Sequence, residues 1–80
     1  MAEQASDADV LKVFALTADP ALSAPEVAER LDITQQAAHS RLSRMANDGL
    51  LRTKKIGARA RIYWLTDKGR DHLADDAGQA

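Results

Sequence analysis

Two stretches of the 80-residue sequence carry side chains suited to recognising another molecule. In the first, Thr34 to Asn47, the apolar residues Ala38, Leu42 and Met45 recur at helical spacing. The opposite side of such a helix is centred on Gln36, Ser40, Ser43 and Asn47, with His39 and Arg44 on its flanks. A merely solvated helix face carries mixed Glu and Lys, whose pairs stabilise it. This one carries amides, hydroxyls and an imidazole, groups that donate and accept and so can match the pattern on base edges in a major groove. In the second stretch, Arg52, Lys54, Lys55, Arg59 and Arg61 fall within ten residues around Gly57, with no acid among them. That is chemistry for anions, and phosphate diesters are the obvious class.

Catalysis finds no comparable constellation. His39 and His72 are far apart in sequence, there is no cysteine, and neither Ser40 nor Ser43 has a partner base in the pattern. The four glycines are scattered at 49, 57, 69 and 78, so no phosphate-cradling loop exists. No catalytic residue, metal site or cofactor is expected, and the chain does not read as an enzyme.

The formal charge of −1 conceals a segregation. Residues 1–32 carry seven acids and two bases, residues 33–65 one acid and seven bases, and residues 66–80 four acids and two bases. A basic middle on an acidic body is the footprint of a polyanion-binding face. With 80 residues the expectation is a single domain over 1–80, with about 6–74 ordered and 75–80 as frayed tail. Three aromatics, Phe14, Tyr63 and Trp64, leave the core to aliphatic residues and alanine, which disfavours a roomy cavity, and no small-molecule effector is evident. No apolar run approaches bilayer length and the first nine residues are acidic rather than signal-like, so a soluble cytoplasmic protein is expected, with no membrane partner.

The elements that must position these groups follow from punctuation. Ser6 with Asp9, and Ser23 with Glu26, are capping-box pairs that start a first helix, ending near Asp19-Pro20, and a short second one. Val10, Val13 and Phe14, widened by Leu11 and Leu16, face inward from the first; Val27, Ala28 and Leu31 from the second. After a turn of about three residues, Thr34 caps the third helix, which Asn47-Asp48-Gly49 stops. Leu50 to Ile56 and Arg61 to Leu65, joined by Gly57-Ala58-Arg59-Ala60, read as a hairpin, and Thr66-Asp67 starts a last helix through about Leu73. Tyr63 shares the inward side with Leu65; Trp64 points the other way, against the first helix or a second copy.

Two helices joined by a short turn and followed by a basic hairpin make a winged helix-turn-helix: an α+β fold with a three-helix core, a two- or three-stranded β-wing and a short C-terminal helix. Pro25 to Ala38 resembles the helix-turn-helix of small bacterial and archaeal repressors similar to the MarR and ArsR groups. Asn47-Asp48-Gly49-Leu50-Leu51-Arg52 and Leu65-Thr66-Asp67-Lys68-Gly69-Arg70 are similar to the approach to the wing and the start of the closing helix in the same proteins, so that the likeness covers residues 8–74.

The resemblance implies a sequence-specific regulator of transcription that binds double-stranded DNA, expected to repress by covering a promoter, with a homodimer on a pseudo-palindrome as the family's habit. On that expectation Gln35, Gln36, Ser40 and Ser43 read bases, with Gln36 able to pair with adenine. Thr34 caps its helix and touches phosphate, and Arg44 reaches phosphate. His39 stays open between a solvated histidine and a groove contact. Arg41, by its helical angle, snorkels or pairs with an acid of the first two helices. In the wing, Arg59 is the candidate for the minor groove, and Lys54, Lys55 and Arg61 hold phosphates. The alternative is a protein-interaction module whose basic wing meets an acidic partner.

Overall fold

In the computed structural model, which describes residues 6–78, the first three helices all begin on a hydroxyl cap. At the head of α1 (Asp7–Leu16), Ser6 Oγ accepts from the Asp9 amide at 3.2 Å, and the Asp9 carboxylate accepts from the Ser6 amide at 3.1 Å. Ser23 and Glu26 repeat the exchange at the head of α2 (Ala24–Leu31), with Pro25 in its first turn. Thr34 Oγ1 accepts from the Ala37 amide at 3.0 Å to open α3 (Gln35–Asn47). Each cap satisfies a backbone donor that helical geometry leaves without a partner.

α1 stops earlier than its proline predicts. Thr17 is already extended and its hydroxyl accepts from the Asp19 amide at 3.2 Å, a local bond that competes with another helical turn. Leu16 is consequently 84% exposed and does not widen the buried stripe. Between α2 and α3 the chain turns over Asp32, Ile33 and Thr34, with Asp32 in the left-handed region at φ 56°. At the far end of α3, Gly49 adopts φ 84° while its own amide and that of Leu50 donate to Ala46 and Met45, a pattern that closes the last carbonyls.

A three-stranded antiparallel sheet has the order β1-β3-β2, with β1 Leu22–Ser23, β2 Leu51–Ile56 and β3 Ala60–Leu65. The hairpin register pairs Leu51 with Leu65, Thr53 with Tyr63 and Lys55 with Arg61. β1 adds Leu22 opposite Tyr63 and Ser23 opposite Ile62. The loop is Gly57-Ala58-Arg59, with Gly57 at φ 67°, and Ala60 belongs to β3 rather than to the turn. α4 (Asp67–Gly78) continues past Leu73, so the tail expected from residue 75 is helical to Gly78; residues 79–80 lie outside the described ones.

The core gathers Val10, Leu11 and Phe14 of α1, Leu22, Val27 and Ala28, then Ala38, Leu42 and Met45 of α3, and Leu50, Leu51 and Tyr63 beside the sheet. A Leu or Val fully buried in this way contributes about 1.5–3 kcal/mol relative to exposure. Tyr63 points inward as its parity with Leu65 predicts, and Trp64 is half-buried on the opposite face of β3. Gly69, in the first turns of α4, is buried against the Leu50 carbonyl.

Candidate nucleic-acid interface

Burial of Ala38, Leu42 and Met45 fixes the roll of α3 about its axis. Thr34, Gln35, Gln36, His39, Ser40 and Asn47 are exposed as a result, and Ser43 is half-buried. In the hairpin, strand alternation divides the cations. Leu51, Thr53 and Lys55, with their partners Leu65, Tyr63 and Arg61, form the face turned to the core and to α3. Arg52, Lys54 and Ile56, opposite Trp64, Ile62 and Ala60, form the other. Lys55 and Arg61 are therefore direct cross-strand neighbours of like charge, an arrangement that costs stability unless an anion is brought to it.

The two elements meet along a groove. One part, about 290 Å³, lies between His39, Ser43, Ala46 and Asn47 of α3 and Thr53, Arg61 and Tyr63 of the sheet. A second, about 250 Å³, runs on toward the wing tip between His39, Lys55, Arg59, Arg61 and Tyr63, with Ala58 and Ala60. His39, Arg61 and Tyr63 line both, so the hydrogen-bonding face of α3 and the inner cations of the hairpin bound one continuous surface. Thr53 Oγ1 is buried in its wall without a hydrogen-bond partner among the described residues. On the far flank of α3, Ala37, Ser40, Arg41 and Arg44 line an open depression.

Two expectations change. Arg44 is not free to reach outward: its Nη2 and Nη1 donate to the two Asp7 carboxylate oxygens at 2.6 and 3.2 Å, and Asp48 lies 3.8 Å away. Arg41 joins the same carboxylate at 3.8 Å, the acidic partner its helical angle predicts. Hydrogen bonding from Arg44 holds the Asp7 carboxyl below its ordinary range against the opposing effect of burial, and the same bond raises Arg44. Lys54 is the other, because strand alternation turns it away from Lys55 and Arg61 to the face of Arg52 and Trp64. Of the remaining candidates, His39, Ser43, Lys55, Arg59 and Arg61 come together along the groove, Gln35 and Gln36 stand at the exposed start of α3, and Ser40 lies toward the Arg44 side.

A family model described as winged helix-turn-helix DNA-binding matches residues 13–52, half of the chain. The chain belongs to that family. Its winged helix superposes on the transcriptional regulator BldR from Sulfolobus solfataricus with a TM-score of 0.72 at 27% identity, over 86% of this chain and 49% of that one. For the MarR family transcription regulator SP03579 the values are 0.75 and 25%, over 96% and 55%. The structure of hsRosR-S1, described as a complex, gives 0.79 at 20% identity over 98% and 74%. The resemblance to MarR-type regulators read from Pro25 to Ala38 thus extends to the three-dimensional fold. The winged helix spans about half the length of BldR and SP03579. Among curated protein sequences, none matches the chain.

Within the winged helix, Asn47, Thr53 and Tyr63 line the groove although only the helical position of Asn47 hinted at it. Thr53 and Tyr63 stand two residues from Lys55 and Arg61 on the same face of their strands, a signal readable once the register is known. Among the described residues no cluster of three or more His, Cys, Asp or Glu side chains could hold a metal ion, and no helix is long and apolar enough to cross a membrane.

Proposed function

We propose that this winged helix binds double-stranded DNA and regulates transcription, acting as a repressor by covering a promoter. α3 enters the major groove, Gln35, Gln36, His39, Ser40 and Ser43 meet base edges, and Thr34 meets phosphate beside its cap. Lys55 and Arg61 hold the adjoining backbone, and Arg59, at the hairpin tip, reaches the minor groove, where negative potential is deepest when the groove is narrow. The observation that carries this reading is the groove wall shared by His39, Arg61 and Tyr63, which joins the hydrogen-bonding face of α3 to the inner cations of the hairpin. Two copies on a pseudo-palindromic site complete the proposal.

Duplex binding measured against salt tests it. The two phosphate-holding cations, Lys55 and Arg61, imply that log K falls against log[salt] with a slope of about −1.8. Selection of preferred sites from a random duplex pool then separates sequence choice from charge. A chain indifferent to duplex at low salt overturns the reading and leaves a protein-interaction module in its place.

A further inference from the structure

Resting on the reading of α3 as a DNA-facing helix, we infer that Asp7 is a positioning residue that occupies Arg44 in the free protein as a backbone phosphate would, so that α3 meets a duplex one cation short. A carboxylate offers a guanidinium the same two-oxygen fork as a phosphodiester, and such paired charge-assisted bonds are the strong ones. Both oxygens of Asp7 are used, at 2.6 and 3.2 Å, with Arg41 a further 3.8 Å contact on the same group. The Arg44 side chain is nonetheless half exposed and lines the open depression with Ser40, on the flank along which one strand of an occupied major groove would pass.

Asp7 is held in place to do this. It occupies the first turn of α1 directly after the Ser6 cap, and that helix is anchored in the core by Val10, Leu11 and Phe14. The carboxylate therefore competes with phosphate at the high local concentration of an intramolecular partner. Residues 33–65 carry seven bases, and the two that lie on α3 both face Asp7. Sequence-independent attraction is thereby left to the hairpin, and α3 approaches with amides and hydroxyls, the groups that discriminate among bases.

The test is the salt slope for a short random-sequence duplex, with four chains compared. Asp7→Asn steepens the slope by about 0.9, one added phosphate contact. Arg44→Ala in the Asp7→Asn background abolishes that gain, whereas Arg44→Ala alone shifts the slope by less than half as much. A structural role for Asp7 would change thermal unfolding without this pattern. An Asp7→Asn chain that folds and keeps the wild-type slope overturns the inference, as does Arg44→Ala alone flattening the slope by the full increment. Should Asp7→Asn fail to fold, the Arg44→Ala result decides. Wild-type indifference to duplex at low salt overturns the underlying reading and this inference with it; wild-type binding with either overturning pattern removes this inference alone.

Discussion

The hydroxyl oxygen of Thr66 lies 2.7 Å from the carbonyl oxygen of Gly49 and is positioned to donate to it, across a separation of 17 residues. Leu50 O is a second acceptor at 3.0 Å, and the same hydroxyl accepts from the Gly69 amide at 3.0 Å. One side chain thus ties the end of α3, the base of the hairpin and the start of α4. Lys68 Nζ adds a bond of 2.7 Å to the Asp48 carbonyl, where the negative end of the α3 dipole favours a cation.

Thr66→Val is expected to destabilise the fold by about 1–2 kcal/mol, because it strips both a helix cap and a donor to partly buried carbonyls. Thr66→Ser retains the hydroxyl and most of the stability. Urea midpoints of the two variants check this, and equal midpoints would remove the tie from consideration.

Gly69→Ala is expected to cost about 1–3 kcal/mol despite the higher helix propensity of alanine. An added Cβ would overlap the Leu50 backbone carbonyl and come within 2.9 Å of Leu65 Cδ1, and a backbone atom has little room to yield. A thermal midpoint at or above that of the wild type would contradict it.

Strand alternation puts two adjacent lysines on opposite faces of the hairpin. Lys55→Ala is expected to flatten the duplex salt slope by about 0.9, the loss of one phosphate contact, and Lys54→Ala by clearly less. Filter binding across a salt series distinguishes them, and equal effects would mean that the outer face of the wing also touches the backbone.

Acid stability reports on Asp7. Arg44, Arg41 and His72 all favour its charged form, with the Arg44 hydrogen bond foremost, so its carboxyl titrates lower folded than unfolded. The resulting stabilisation is fully present above the ordinary value of 3.8 and is lost as the pH falls through the lower folded value. Between about pH 5 and about pH 2, wild type should lose more stability than Asp7→Asn. Parallel urea-midpoint curves for the two would show that the pair contributes nothing net, as exposed ion pairs often do.

Caps and apolar spacing made the helices legible in the sequence, since Ser6, Ser23 and Thr34 act on amides only three residues away. The roll of α3, and with it the exposure of Gln36, His39 and Ser40, followed from Ala38, Leu42 and Met45 for the same local reason. The surroundings of Lys55 and Arg44 were less legible because they are set by residues elsewhere in the sequence. A loop of three residues rather than four brings Ala60 into β3 and sets the register that puts Lys55 directly opposite Arg61. Asp7 and Arg44 stand 37 residues apart and meet only through the packing of α1 and α3 about the shared core. β1, with two residues, is too short to show alternation at all.

That short strand has a mechanical consequence. Ser23 is both the end of β1, paired with Ile62, and the cap of α2, so the hairpin and the helix pair are geared together through one residue. On the proposed DNA-binding reading, this coupling limits how far the wing can shift relative to α3. A duplex whose two contact regions depart from that spacing would then be met more by bending of the nucleic acid than by movement of the hairpin.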